Sequence, residues 1–435
     1  MTSILDKFPN EPAPPYVEST TGPYIILEDG RKILDASSGI TGYAVLGYSH
    51  PDVITAMNAQ MKHFSHMDIN QWGNRTLEKL ADLILTQAPP GLDKVYFAGN
   101  SGSEAVEAAM KISYHLHHDS GKKEKRWFIS RENSFSGATL QTMSVSDIPV
   151  VKLFEPLMPA NFAKIAHHNP YSEMKDGESL NDYAEKGAHE LEKSILDIGP
   201  DNVCAFVAET VPGTLMGYPP PAPNYWKLIK NVCEKYDVHL ILDEVFCGLG
   251  RSGKIYCCSW DDVSPDFLCV GKNLGAGYAP ISAVLLNNKV QNIIAAGSGR
   301  VQLGHTHQGY SLGASAALAV QRIVHQDSLL SHISDTGNFI AKTMESELGQ
   351  HPYFKNVRGR GLMQAIEFEC PSQVRFSNAI KSEMLENHNI LLDCRWHRAA
   401  LAPAYIIEKN EIEMIINCFL NTFKKVADNG VGEKN

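Results

Sequence analysis

The chain has 435 residues, 43% hydrophobic and 20% charged, which is ordinary globular composition with length enough for a large core and a smaller companion domain; it excludes a disordered, collagen-like or coiled-coil chain. Lys and Arg number 39 against 49 Asp and Glu, a net charge of −10, so nothing supplies the basic face that nucleic acid or an anionic membrane requires. No apolar run reaches the ~18–20 residues of a membrane span, and MTSILDKFPNEPAPP lacks the basic-then-apolar order of a secretory signal, so small molecules and other protein chains are the expected partners and cytoplasm the expected setting.

The first ~20 residues, rich in proline and polar groups, predict an extended arm. YIILEDGRKILD then carries two apolar runs around Asp29-Gly30, a hairpin signal. From Pro51 to Phe64 and from Arg75 to Gln87, apolar residues recur at three- and four-residue steps and predict surface helices. The middle of the chain alternates short apolar runs (KVYFAG, RWFIS, VCAFVAE, HLILDEV, FLCVG, ISAVLL) with amphipathic stretches (SEAVEAAMKISYHL, LNDYAEKGAHELEKSILDI, NYWKLIKNVCEKY). That alternation predicts an α/β fold with a mostly parallel sheet flanked by helices. PPPAP at 219–223 reads as a rigid turn into the third of these helices. LGASAALAVQRIV predicts a buried helix, and the last ~100 residues, with GLMQAIEFE as a strand and EIEMIINCFLNTFKKVA as a closing helix, suit a small α+β domain. The expected division is an arm and part of the small domain over 1–50, a large domain over 51–310 and a small domain over 311–435. Nine cysteines with no CxxC predict reduced thiols, with neither a disulfide framework nor a zinc site. His115, His117 and His118 predict a solvated helix face with no metal, and Arg251 in GRSG predicts a structural arginine.

Ligands of open parallel sheets sit beyond the carboxyl ends of the strands, so the residues following each predicted strand are the candidates. After KVYFAG comes Asn100-Ser101-Gly102-Ser103-Glu104 opening a helix, with Ser101 and Glu104 spaced as a capping box, a turn that offers backbone N–H groups to an anion. After RWFIS comes Phe135-Ser136-Gly137. VCAFVAE ends in Glu209, HLILDEV carries Asp243 and Val245, and FLCVGK ends in Lys272 before a glycine-rich turn. A lysine in a partly desolvated pocket has a lowered pKa, the state in which its amine attacks carbonyls. An anion cradle, an aromatic ring, a carboxylate and a lysine on one crevice call for a cofactor with a phosphate, a flat ring, a basic ring nitrogen and an aldehyde, and pyridoxal 5'-phosphate has all four.

NSGSEAVEAAMK, SFSG, DEVFCGLGRSG, PDFLCVGKNLGAGYAP and GHTHQGYSLGASAALAV resemble the class III (omega) aminotransferases, fold-type-I pyridoxal-phosphate enzymes, from about residue 24 to 420. The resemblance implies a large domain around the sheet and a small α+β domain formed by both termini. It implies that Lys272 forms the Schiff base and Asp243 faces the ring nitrogen. Ser101, Gly102 and Ser103 would hold the phosphate, Phe135 and Val245 pack on the two ring faces, and Ser136 and Glu209 adjoin the cofactor. Thr306 would reach the phosphate of the neighbouring subunit in a homodimer with shared sites, and His305 and His307 flank it. Ser38, Gly39 and Tyr43 fall in a segment that lines the substrate entrance in relatives, where a frequent Trp is replaced by Thr41. Three departures stand out. Ser136 replaces a usual histidine, Thr210 replaces the proline after Glu209, and Ala400 stands where many members carry a carboxylate-binding arginine; Arg395 and Arg398 lie just upstream as alternative carboxylate ligands.

The implied activity moves an amino group from an amino acid or amine to a keto acid, ketone or aldehyde in two half-reactions. The rivals are decarboxylation, racemisation or an amino shift on the same cofactor, or a homologue that binds it without turnover.

Overall fold

A computed structural model describes residues 3–5, 7–213 and 215–431. Its centre is a seven-stranded sheet in the order Lys94–Phe97, Ala283–Leu286, Phe267–Val270, His239–Asp243, Val203–Glu209, Trp127–Arg131, Phe162–Ile165. The strands from Phe267–Val270 to Phe162–Ile165 are mutually parallel, whereas Ala283–Leu286 runs antiparallel to both neighbours. Both faces are covered by helices, so the central strands are buried at every position but His239 and read as apolar runs. Phe162–Ile165 was not among the expected strands; it is an edge strand of four residues with Lys164 exposed, too short and too polar to signal itself.

The helices begin and end where local chemistry dictates. Leu180–Ile198 starts on a Ser179/Asp182 capping box and stops at Gly199, whose φ of 94° ends the helix. Pro51–Met61 and Arg75–Leu85 stop two to three residues short of their expected ends. Ser311–Val324 is buried on nearly every side, as its composition predicts. Asp327–Leu348 and Gln373–His388 are helices without counterparts in the expectations above; the first hides its stripe behind Gly337, which packs on the backbone of Gly361. Among the described residues no helix is long and apolar enough to cross a membrane.

Two smaller sheets complete the fold. Val17–Thr21, Tyr24–Leu27 and Lys32–Asp35 form a meander, whose first strand lies within the expected arm, and Ile390–Leu391 joins it parallel to Lys32–Asp35, so both ends of the chain share one sheet. The other is antiparallel, in the order Phe354–Arg360, Met363–Phe368, Arg398–Leu401, Asp393–Arg395. Its register sets Arg358 beside Ala365, Ala365 beside Ala400 and Glu367 beside Arg398, all on one face. Arg251 is fully buried and staples the assembly, donating to Leu362 O, Pro403 O and Gly42 O at 3.0, 2.6 and 3.1 Å.

The histidine face corrects one expectation. His118 is exposed, but His117 is buried, stacks on His239 with ring centroids 4.2 Å apart, and bonds Cys204 O at 3.1 Å. His117 faces the sheet because residues three and four apart in Gly102–Asp119 share its buried side. His115 is tied to Ser298 and Asp119. Among the described residues no cluster of three or more His, Cys, Asp or Glu could hold a metal ion.

Burial lowers His117 to about 3, and His168, stacked on Tyr225 at 3.8 Å, likewise to about 3. A histidine whose folded pKa is depressed binds its proton first in the unfolded chain, so stability falls as pH drops below the ordinary value near 6.5. At pH 4.5 each such ring costs up to about 2–3 kcal/mol. The thermal midpoint is expected to fall steeply between pH 6.5 and 4.5, and His168→Phe to flatten that slope; calorimetry across the range checks it.

Candidate active site

Parallel strands end side by side, and three of them deliver polar groups to one buried spot. Glu209 pairs with Asp243 in the ladder between Val203–Glu209 and His239–Asp243, and Asp243 pairs with Cys269, after which the chain reaches Lys272. Lys272 opens a tight turn with a φ of 25°, a left-handed backbone that a lysine adopts only where its surroundings enforce it. Leu274 N to Gly271 O (2.6 Å) and Asn273 Nδ2 to Phe246 O (2.8 Å) and Gly248 O (2.9 Å) enforce it here.

The three charges sit in low dielectric. Glu209 accepts from Phe135 N at 3.1 Å and Gly213 N at 2.7 Å, and burial pushes its carboxyl up. Asp243 accepts from Val245 N at 2.9 Å; burial, and next the charge of Glu209, push it up to about 7, opposed by that N–H, by Lys272 and by the Ser136 hydroxyl. Burial lowers the Lys272 amine, opposed by Asp243 and Glu209, and Nζ stands 5.4 Å from the centre of the Phe246 ring. Arg131 also faces Glu209, so two cations stand against the two carboxylates, and it is burial that makes a proton on Asp243, or a cation set directly beside it, favourable.

An anion cradle adjoins this pocket. Gly102–Asp119 is an 18-residue helix with both bonds of the Ser101/Glu104 capping box formed, and its first-turn amides have no intrahelical acceptor. A Cβ on Gly102 would stand 2.5 Å from Val245 Cγ1, and one on Gly271 3.4 Å from Gly102 Cα, so two glycines bring the cradle against the Lys272 turn. Ser103 Oγ accepts from Ala138 N at 3.0 Å. The Phe135 ring is 41% exposed beside it, and Ser136 N donates to Ser146 Oγ at 2.9 Å. Thr210, at the position of the usual proline, donates to Glu244 Oε1 at 2.9 Å and fixes the strand end by a side-chain bond instead.

The structure thus gathers Gly102, Ser103, Phe135, Ser136, Glu209, Asp243, Val245 and Lys272. Tyr43 fits between Gly39 and Gly277, close to the turn after Lys272, and borders a cavity of about 200 Å³ shared with Tyr48, Ile54 and Tyr278. Ser38 Oγ donates to Ala402 O at 2.7 Å. Thr306 is exposed, and its carbonyl bonds His66 Nε2 at 2.8 Å; His305 Nδ1 lies 4.0 Å from Glu104 Oε1, and His307 packs on His66. Arg395 is half-exposed and paired with Asp393 at 2.7 Å, while Arg398 is buried and donates to Leu215 O. Sequence reasoning missed Phe246 and Gly213. Phe246 directly follows the Asp243-Glu244-Val245 motif and was legible; Gly213 acts through its backbone and left no signal.

This sheet and site define a fold-type-I pyridoxal-phosphate transferase. The residues fit that cofactor: a cradle for its phosphate, an amine for its aldehyde, and in Asp243 a buried carboxylate that a protonated ring nitrogen would stabilise. The sequence pattern of the family described as aminotransferase class-III matches residues 9–423, and the chain belongs to that family; it is an aminotransferase that uses pyridoxal phosphate. An uncharacterized aminotransferase of Schizosaccharomyces pombe is 32% identical over 94% of this chain and 92% of its own. A putrescine–pyruvate aminotransferase of Pseudomonas aeruginosa is 28% identical over 94% of this chain and 90% of its own. The crystal structure of an omega transaminase from Pseudomonas jessenii in complex with PMP superposes with a TM-score of 0.89 at 28% identity, covering 96% of this chain and 94% of that one.

Gly102→Ala forces Val245 away from the cradle, a strain of about 1–3 kcal/mol. Cofactor affinity is expected to fall about tenfold or more, measured by fluorescence titration of the apoprotein.

Proposed function

We propose that Lys272 anchors the cofactor aldehyde and is the proton carrier of the reaction, and the observation that carries this is the burial of its amine beside Asp243 and Glu209. The bound cofactor supplies an electron sink, which lets a proton leave the donor carbon. Once the donor amine has displaced it from the aldehyde, the freed Lys272 Nζ would take that proton and return it one position away, its lowered basicity suiting both directions. Asp243 would keep the ring nitrogen protonated, and Glu209, fixed by Phe135 N and Gly213 N, would add negative charge to the same pocket. Ser101, Gly102 and Ser103 hold the phosphate, Phe135 and Val245 enclose the ring, and Ser136 steadies Asp243.

The working unit in this proposal is a homodimer in which Thr306 completes the partner's phosphate site. Exposed Phe64, Met67 and Trp72 support it, because their segment is bonded through His66 to the Thr306 loop and presents apolar surface that a second chain would bury. A cytoplasmic setting belongs to the same proposal and rests on nine unpaired thiols. The small-domain unit assembled from both termini is supported by the shared strand pairing of Leu34 with Ile390.

The donor is proposed to be an amine whose reacting carbon bears no carboxylate. Ala400, at the arginine position, brings no charge of its own and packs with Val211, Tyr218, Phe246, Ala365 and Ala402. Phe246 is the aromatic beside Lys272 Nζ, and Arg398, the nearby alternative, is engaged with Leu215 O. The name of the putrescine–pyruvate relative points the same way.

Mixing holoenzyme with single donors and following the cofactor spectrum tests both parts. Butylamine and putrescine are expected to convert the cofactor about tenfold or more faster than L-alanine, the scale of one missing charge-assisted bond. Faster reaction with L-alanine contradicts the donor assignment, and Lys272→Ala is expected to abolish conversion with every donor.

A further inference from the structure

The loop after Glu209 is fastened at both ends, and the two fasteners belong to different sheets. On one side Gly213 N donates to Glu209 Oε2 at 2.7 Å. On the other, Arg398 donates to Leu215 O and Arg358 Nη2 donates to Met216 O at 3.0 Å. Both arginines stand on the antiparallel C-terminal sheet, where Glu367, buried between them, pairs with Arg358. The turn itself is closed by Met216 N and Gly217 N donating to Gly213 O at 3.1 and 3.2 Å. Gly217 has a φ of +67°, and a Cβ there would stand 2.6 Å from Arg398 Cδ, so the Arg398 side chain packs directly against the loop. The next residue, Tyr218, stacks on Phe246 with centroids 5.2 Å apart, and Phe246 is the ring beside Lys272 Nζ.

The geometry points to Arg398, with Arg358, as a positioning residue: it latches residues 215–217, which are bonded to Gly213 O, to the C-terminal sheet and thereby holds the Glu209 carboxylate in place near Lys272. This rests on the reading of Lys272 as the cofactor anchor. A buried guanidinium is costly unless its bonds are fixed in place, and one of those of Arg398 goes to a carbonyl of this loop. Here that segment is tied to Gly213, whose N–H reaches Glu209 Oε2, so the C-terminal sheet and the Glu209 charge are coupled.

The charged and titratable groups that face this centre are Arg131 and Lys272 toward Glu209, Glu209 and Lys272 toward Asp243, and Asp243, Glu209 and Cys247 toward Lys272. Loss of the Gly213 bond removes an interaction that lowers Glu209, so Glu209 takes a proton more readily and stops supporting positive charge at the Lys272 nitrogen. The cofactor-linked nitrogen then gives up its proton at lower pH.

The test is a spectrophotometric pH titration of holoenzyme, following the visible band of the bound cofactor. Arg398→Ala is expected to move the midpoint down by about 0.5 to 1 pH unit, with Arg398→Lys falling between it and wild type. In a Glu209→Gln background Arg398→Ala is expected to add no further shift, because the group it acts through is gone. A midpoint at the wild-type value in Arg398→Ala, with only a lower thermal midpoint, reduces the arginine to a structural role and overturns the inference. So does an equal further shift in the Glu209→Gln background. Absence of any pH-sensitive band in the wild-type holoenzyme overturns the Lys272 reading itself, and the inference with it.

Discussion

A buried amine held between two buried carboxylates is the interaction on which the rest of this structure depends. Placing Lys272, Asp243 and Glu209 out of water is costly one by one, and the cost falls only when each group neutralises another. Parallel strand register achieves this, because Glu209 and Asp243 are ladder partners and Lys272 follows the next strand along. Burial, and next the charge of Glu209, raise Asp243 to about 7, so a cation placed beside Asp243, such as a protonated ring nitrogen, would stabilise its carboxylate.

Backbone geometry turns that charge cluster into a site. Glycine at 102 and 271 lets a helix start approach the Lys272 turn to within van der Waals contact of Val245, so phosphate cradle and amine come within reach of one small molecule. The strain at Lys272 is sustained by Asn273, which donates to two carbonyls of the loop after Asp243. Fold-level staples such as Arg251 then keep the N-terminal segment and the C-terminal sheet pressed on the same crevice.

Much of this was legible from residue order, because a parallel sheet writes each buried strand as an apolar run and puts chemistry just past its end. Asp243, Lys272 and the Ser101 cap were found that way. What escaped acts through the backbone or depends on pairing between distant segments: the Gly213 amide, the antiparallel insertion of Ala283–Leu286, the Phe162–Ile165 edge strand and the burial of His117. Arg398 was visible as a charge near the site, but its engagement with Leu215 O is set by the fold of a loop and not by local pattern. The absence of an arginine at 400 was visible too, and its consequence, Ala400 packed on Ala365 beside Phe246, needed the sheet register to be seen.

The most direct measurement is borohydride reduction of the yellow holoenzyme followed by peptide mass spectrometry. A single pyridoxyl-phosphate mass addition is expected on the peptide containing Lys272, with loss of the visible band. Reduction that leaves Lys272 unmodified, or that labels a different lysine, contradicts the central claim.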